Sequence, residues 1–144
     1  MPSPQANPID DLYETFEMLG EDWEERYRVL IDLGRRLPEL PESQRTEAHK
    51  VHGCQSQVWM TATTRSSDAG PLLSLRADSD AFIVRGLIAV LFMLYDGRPL
   101  AEVEGTDADG AFRRLGLDQH LSPTRRNGLH AMIRRIRDLA KHAA

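Results

Sequence analysis

Apolar residues recur at helical spacing near the start of the chain. From Pro8 to Leu19 the residues Ile9, Leu12, Tyr13, Phe16 and Leu19 form one stripe, which predicts an amphipathic helix with that face in the core. Asn7 is placed to cap it, Pro8 suits the first turn and Gly20 ends it. A second helix is predicted from Asp22, which with Glu25 makes a capping-box-like start. Its inward residues are Tyr27, Leu30, Ile31 and Leu37, and Pro38 and Pro41 stop it. The stretch from Pro38 to Glu47 has no period and reads as a linker.

Beyond the linker the period changes to two. Val58, Met60 and Ala62 alternate with Trp59, Thr61 and Thr63 within Gln57–Thr64, and Leu73, Leu75 and Ala77 alternate with Ser74, Arg76 and Asp78 within Leu72–Asp78. A polar turn cluster from Arg65 to Pro71 separates the two. The pattern predicts an antiparallel pair, with a third strand around Ala48–His52.

Ala81–Asp96 is apolar on nearly every side, which predicts a central buried helix ended by Gly97. Arg85 and Gly86 interrupt it, and Arg85 is expected to snorkel or to form a salt bridge. Short helical segments are predicted at Pro99–Val103 and Asp107–Leu115, the latter closed by Gly116. Ser122-Pro123 then opens a last helix running toward His142, with Leu129, Met132, Ile133, Ile136 and Leu139 as its buried stripe. Five arginines, Arg125, Arg126, Arg134, Arg135 and Arg137, fall outside that stripe, and those other than Arg125 read as a solvated face. Helices, then strands, then helices is the segregated order of an α+β fold with an antiparallel sheet.

Length and composition narrow this to one soluble domain. The 144 residues suit a single domain, 1–144, with residues 1–7 expected to be a flexible tail. A formal net charge of -4 lacks the basic excess of a dedicated nucleic-acid binder. The opening MPSPQANP has neither a basic start nor an apolar core, so no secretory signal is expected. The longest apolar stretch, Gly86 to Tyr95, is too short to cross a bilayer.

Cys54 is the one cysteine. It cannot close an internal disulfide, and a free thiol fits a reducing, cytoplasmic setting. It follows Gly53, which can take a positive φ, and precedes the polar run Gln55-Ser56-Gln57, so it is expected at a loop tip. Three readings of the thiol stand open. It is a small buried hydrophobe, a nucleophile activated by local charge from His49, Lys50 or His52, or one ligand of a metal site with His49 and His52. For the last, an extended chain puts His49 on the face opposite His52 and Cys54.

The run HKVHGCQSQVW, His49 to Trp59, resembles the signature of the SufE family, sulfur-acceptor proteins that work with cysteine desulfurases. WEERYRVLIDLGRRLPELP (Trp23–Pro41), SDAFIVRGLIAVLFMLYDG (Ser79–Gly97) and LSPTRRNGLHAMIRRI (Leu121–Ile136) resemble that family's pattern in the same order and spacing. The resemblance implies a small antiparallel sheet of about three strands with helices packed on it, a fold shared with the IscU-type iron–sulfur scaffolds. It implies that Cys54 accepts persulfide sulfur from a cysteine desulfurase of the SufS or CsdA type, stimulates that enzyme and passes the sulfur to an iron–sulfur assembly complex. Gly53, Gln55 and Ser56, with His52, would support the loop and offer backbone N–H groups to the sulfur.

Arg125 matches a basic position in the family and would serve docking or thiolate formation; the competing reading is a helix-start arginine bound to a surface acid. The pyridoxal phosphate of the reaction belongs to the desulfurase, so no cofactor or metal of this chain's own is expected, nor any nucleic-acid or membrane partner, and the protein is expected to be a monomer or homodimer. The family also implies a cavity at the cysteine, here expected to be walled by Val58, Trp59 and Met60. His49 and Arg126 depart from the family's usual residues, which bears on the choice of desulfurase. The alternative is a metal-binding or IscU-type scaffold, although such scaffolds hold a cluster with several cysteines and this chain has one.

Overall fold

Helix α3 (Phe82–Tyr95) runs through the middle of the protein, and its residues from Gly86 to Leu91 are all buried. The structure, a computed structural model, describes residues 8–143, so the expected tail and the Asn7 cap lie outside the described residues. Two helices precede it, α1 (Pro8–Leu19) and α2 (Trp23–Arg35). Of their expected stripes, Ile9, Leu12 and Phe16 from α1 and Leu30 from α2 are buried, Tyr13 and Tyr27 pack half-buried against that core, and Leu19 and Ile31 are only partly buried. The side chain of Asp22 accepts a hydrogen bond from the Glu25 N–H at 3.2 Å, which starts α2 as its sequence proposes.

The crossing of α2 over α3 depends on two glycines. A Cβ at Gly34 would stand 2.6 Å from the Gly86 nitrogen, and one at Gly86 would overlap the Leu30 carbonyl. The missing side chains therefore let two helix backbones touch, and Gly86 interrupts the apolar run of α3 for that reason. Arg85 uses the closeness. Its Nε and Nη2 donate to the carbonyls of Gly34 (3.0 Å) and Leu37 (2.9 Å), satisfying acceptors at the C-terminal end of α2. Its Nη1 pairs with Asp78, so the expected salt bridge is present and its side chain is 12% exposed.

Asp78 is a buried junction. Its carboxylate accepts from the N–H groups of Leu40 (3.1 Å) and Ser79 (2.8 Å) and from Arg45 (2.7 Å), in addition to Arg85. The aperiodic linker is thus fastened to the sheet by one side chain. Burial alone would raise the carboxyl, but the two amides and two guanidinium groups outweigh it and hold Asp78 below the usual carboxylate range.

Among the described residues the sheet has two strands. β1 (Val58–Arg65) and β2 (Leu72–Ser79) pair antiparallel, from Val58 opposite Ser79 to Arg65 opposite Leu72. The expected third strand at Ala48–His52 is corrected to a single bridge, Lys50 opposite Trp59. A 3-10 turn occupies Glu47–His49 and another turn follows at His52–Gly53, so only two extended residues remain between them. A second single bridge, Leu72 opposite Pro99, lies on the other edge.

After α3 come α4 (Leu100–Val103), α5 (Ala108–Arg114, capped by Asp107) and α6 (Leu117–His120), a turn the hydrophobic pattern did not signal. Helix α7 (Pro123–Ala143) closes the fold and packs on β1 with Leu129, Met132, Ile133 and Ile136 buried. Among the described residues no helix is long and apolar enough to cross a membrane.

Candidate functional site

The segment from His52 to Gln57 is a loop fixed at both ends. Before it, the Val51 N–H donates to the Val58 carbonyl at 2.8 Å. After it, Asp80 holds Gln57 from two sides: the Gln57 N–H donates to Asp80 Oδ1 (3.0 Å) and the Asp80 N–H to the Gln57 carbonyl (3.3 Å). Gly53 turns the chain with φ of +96°, a conformation that favours glycine, and a Cβ there would lie 3.3 Å from the Ala131 Cβ on α7. The turn directs Cys54 down onto α7.

Cys54 is half-buried, and its Sγ donates to the Gly128 carbonyl at 3.5 Å. Among the described residues the hydrogen bond at this sulfur is one in which the sulfur is the donor. Such a bond favours the protonated thiol. Burial pushes the thiol pKa up, and a higher pKa means less thiolate at neutral pH.

Beside the sulfur is a cavity of ≈ 30 Å³, large enough for one or two groups of water size. Its apolar wall is Val84 and Leu87 from α3 with Leu129 and Met132 from α7. Its polar rim is Gln55 and Ser56 from the loop with Thr124 and Arg125 from the first turn of α7. The wall expected from Val58, Trp59 and Met60 is therefore corrected. Val58 and Met60 are fully buried on the core face of β1, and Trp59 points to the other face, where the Arg45 guanidinium lies 5.8 Å from its ring centre.

The structure brings together Cys54, Gln55, Ser56 and Arg125 and leaves His52 aside. Exposed His52 lies 3.5 Å from Glu47, and His49 Nδ1 is 2.9 Å from the Gln44 carbonyl. Among the described residues no three His, Cys, Asp or Glu side chains gather as a metal-holding group. Arg125 is exposed at the cavity rim, and among the described residues it makes no ion pair. Its backbone N–H donates to the Ser122 hydroxyl at 3.2 Å, which fixes the helix start that carries it.

Two residues that shape the site were not anticipated. Asp80 reads in the sequence as a helix-opening residue, yet it clamps the loop. Gly128 reads as a tolerated helix glycine, yet it lies under the thiol; a glycine inside an otherwise good helical pattern is the signal that marks it.

A half-buried thiol on a clamped loop, above a two-stranded sheet covered by helices, defines a small α+β protein built around one cysteine. The chain belongs to the SufE family, described as an Fe-S metabolism associated domain, which it matches over residues 10–140. It is 46% identical over 133 residues to an uncharacterized SufE-like protein of Rhizobium etli, covering 92% of this chain and 89% of that one. A SufE-like protein of Rhizobium meliloti is 44% identical over 133 residues, with 92% and 94% covered. The solution structure of a hypothetical protein from Thermus thermophilus superimposes with a TM-score of 0.73 at 23% identity, covering 94% of each chain, and shares the fold.

Proposed function

We propose that this protein, whose family places it in iron–sulfur metabolism, is a sulfur acceptor and carrier that takes persulfide sulfur from a cysteine desulfurase onto Cys54. The observation that carries the reading is the position of Cys54 Sγ: half-buried on a clamped loop, next to a cavity of ≈ 30 Å³ with Arg125 at its rim. The step is an exchange. Cys54, as thiolate, attacks the terminal sulfur of the donor's persulfide; a bond forms from Cys54 Sγ to that sulfur, and the donor's sulfur–sulfur bond breaks. The donor cysteine leaves as a thiolate and takes up a proton equivalent to the one Cys54 gave up. No oxidant or reductant is consumed.

The resting thiol is protonated and partly covered, which suits a carrier that must not react with free disulfides on its way. Docking of the desulfurase would draw the loop off the Gly128 carbonyl and raise the thiolate fraction where the donor sulfur waits. Arg125 then serves the docked state, as a cation at the rim for an acidic group of the partner or for the departing thiolate. The pyridoxal phosphate that releases sulfur from cysteine belongs to the desulfurase, and an iron–sulfur assembly complex receives the sulfur afterwards.

Mass spectrometry after incubation with a cysteine desulfurase and free cysteine tests this. The expected result is the mass of one sulfur added at Cys54, absent in Cys54→Ser with the fold intact. Well-folded wild-type protein that gains no sulfur would overturn the acceptor role. A Cys54→Ser variant that still stimulates the desulfurase fully would make the protein an interaction partner rather than a carrier.

A further inference from the structure

Cys54 lies over the one place on α7 where the helix has no side chain beneath the loop. A Cβ at Gly128 would stand 3.4 Å from Cys54 Sγ, 3.6 Å from its Cα and 3.7 Å from its Cβ. A methyl group there would stand in ordinary contact with Cys54, and a side chain reaching past it must displace the loop. The Gly128 carbonyl is also the acceptor for the thiol at 3.5 Å; a carbonyl has two lone pairs, so it can serve the thiol and still take part in the helix. Gly128 in addition forms part of the cavity wall. Glycine weakens a helix interior relative to alanine, and the loop packed directly over this position limits how large a side chain it can carry.

We infer that Gly128 is a positioning residue for Cys54: its missing side chain opens a slot in α7 where the thiol rests protonated against the helix backbone and beside which one added sulfur is housed. The housing of sulfur rests on the acceptor reading above; the control of thiol reactivity does not.

Iodoacetamide labelling of Cys54, followed across about pH 6 to 10 around the ordinary thiol range, tests the first half. Gly128→Val is expected to label about tenfold faster at neutral pH and Gly128→Ser about threefold faster, with the midpoint of the pH profile moving down toward that of the unfolded chain, while Gly128→Ala, whose methyl is in ordinary contact, stays near the wild-type rate. A purely structural role would change the melting temperature and leave the midpoint where it is. Serine is small and tolerated within helices, so Gly128→Ser decides the matter even if Gly128→Val does not fold. A folded Gly128→Val, or Gly128→Ser where the valine variant does not fold, with wild-type rate and midpoint overturns the inference.

The second half is read by loading wild type and Gly128→Val, or Gly128→Ser if the valine variant does not fold, with sulfur from a desulfurase and then timing its loss to dithiothreitol. The variant is expected to lose it several times faster, and equal lifetimes overturn the housing role. Failure of wild type to load would reject the acceptor reading and, with it, the housing of sulfur, while the labelling arm still decides whether Gly128 controls the thiol.

Discussion

Asp78 and Cys54 are both polar groups set among apolar side chains, and the protein treats them in opposite ways. Asp78 is 1% exposed and takes hydrogen bonds from two backbone amides and two arginines. Cys54 is half-buried and gives one long hydrogen bond to a helix carbonyl. A buried charge that is paired on every side is costly to disturb, because removing a partner leaves charge without solvent or counter-charge. A neutral thiol with one weak bond gives up little on leaving. The first arrangement fixes the scaffold, and the second keeps a reactive group free to move.

The largest expected effect of breaking this contrast is at Asp78. Asp78→Ala strands Arg85 and Arg45 and should cost about 3–5 kcal/mol of stability, measured by urea unfolding. The same carboxylate sets the acid limit. Its folded pKa lies below the unfolded value, so its stabilisation is present above the unfolded carboxylate pKa of about 3.9 and is lost as pH falls toward the folded value. Unfolding midpoints that stay flat from neutral pH down through that window would contradict the role given to Asp78.

A functional effect comes next. Arg125→Ala should lower desulfurase-dependent sulfur loading severalfold while leaving the folded chain as stable as wild type, because Arg125 is exposed and forms no ion pair among the described residues. Loading at the wild-type rate would remove Arg125 from the site. The smallest effect is on stability at Cys54 itself. Cys54→Ser should change it by less than about 1 kcal/mol, as at other sites without a deep packing role. The thiol's raised pKa has the opposite sign to Asp78: its contribution is present below the unfolded thiol pKa of about 8.5 and fades as pH rises toward the folded value. Wild-type protein should accordingly react with iodoacetamide more slowly than the urea-unfolded chain at neutral pH, and equal rates would place the thiol in open solvent.

Local rules made much of the fold readable. Caps at Asp22, Asp107 and Ser122 act as their residue types propose, and the alternation in β1 and β2 gives both strands within a residue or so. Strand existence was harder to read at Ala48–His52, where turns on either side leave too little extended chain to form a ladder. The four residues of α6 are too few to carry a period.

The site was legible as a residue and not as a place. Gly53 and Cys54 declare a presented thiol, but its surroundings come from α3 and α7, whose nearest cavity residues, Val84 and Thr124, are 30 and 70 positions away along the chain. Alternation tells that Val58 and Met60 share one face of β1 and Trp59 the other. It does not tell over which neighbour the preceding loop folds, so the cavity was expected on the wrong wall. Arg125 could be linked to Cys54 by family resemblance alone until the packing of α7 put both at one rim.

The clamps at Val51 and Gln57 set how far the sulfur can travel. Cys54 is three residues from the first anchor, and at full extension three residues span about 10 Å. If Cys54 accepts sulfur as proposed and the scaffold stays put, delivery happens within that radius of the sheet's edge, and a donor must bring its own sulfur into that narrow zone instead of waiting for a long arm to reach it.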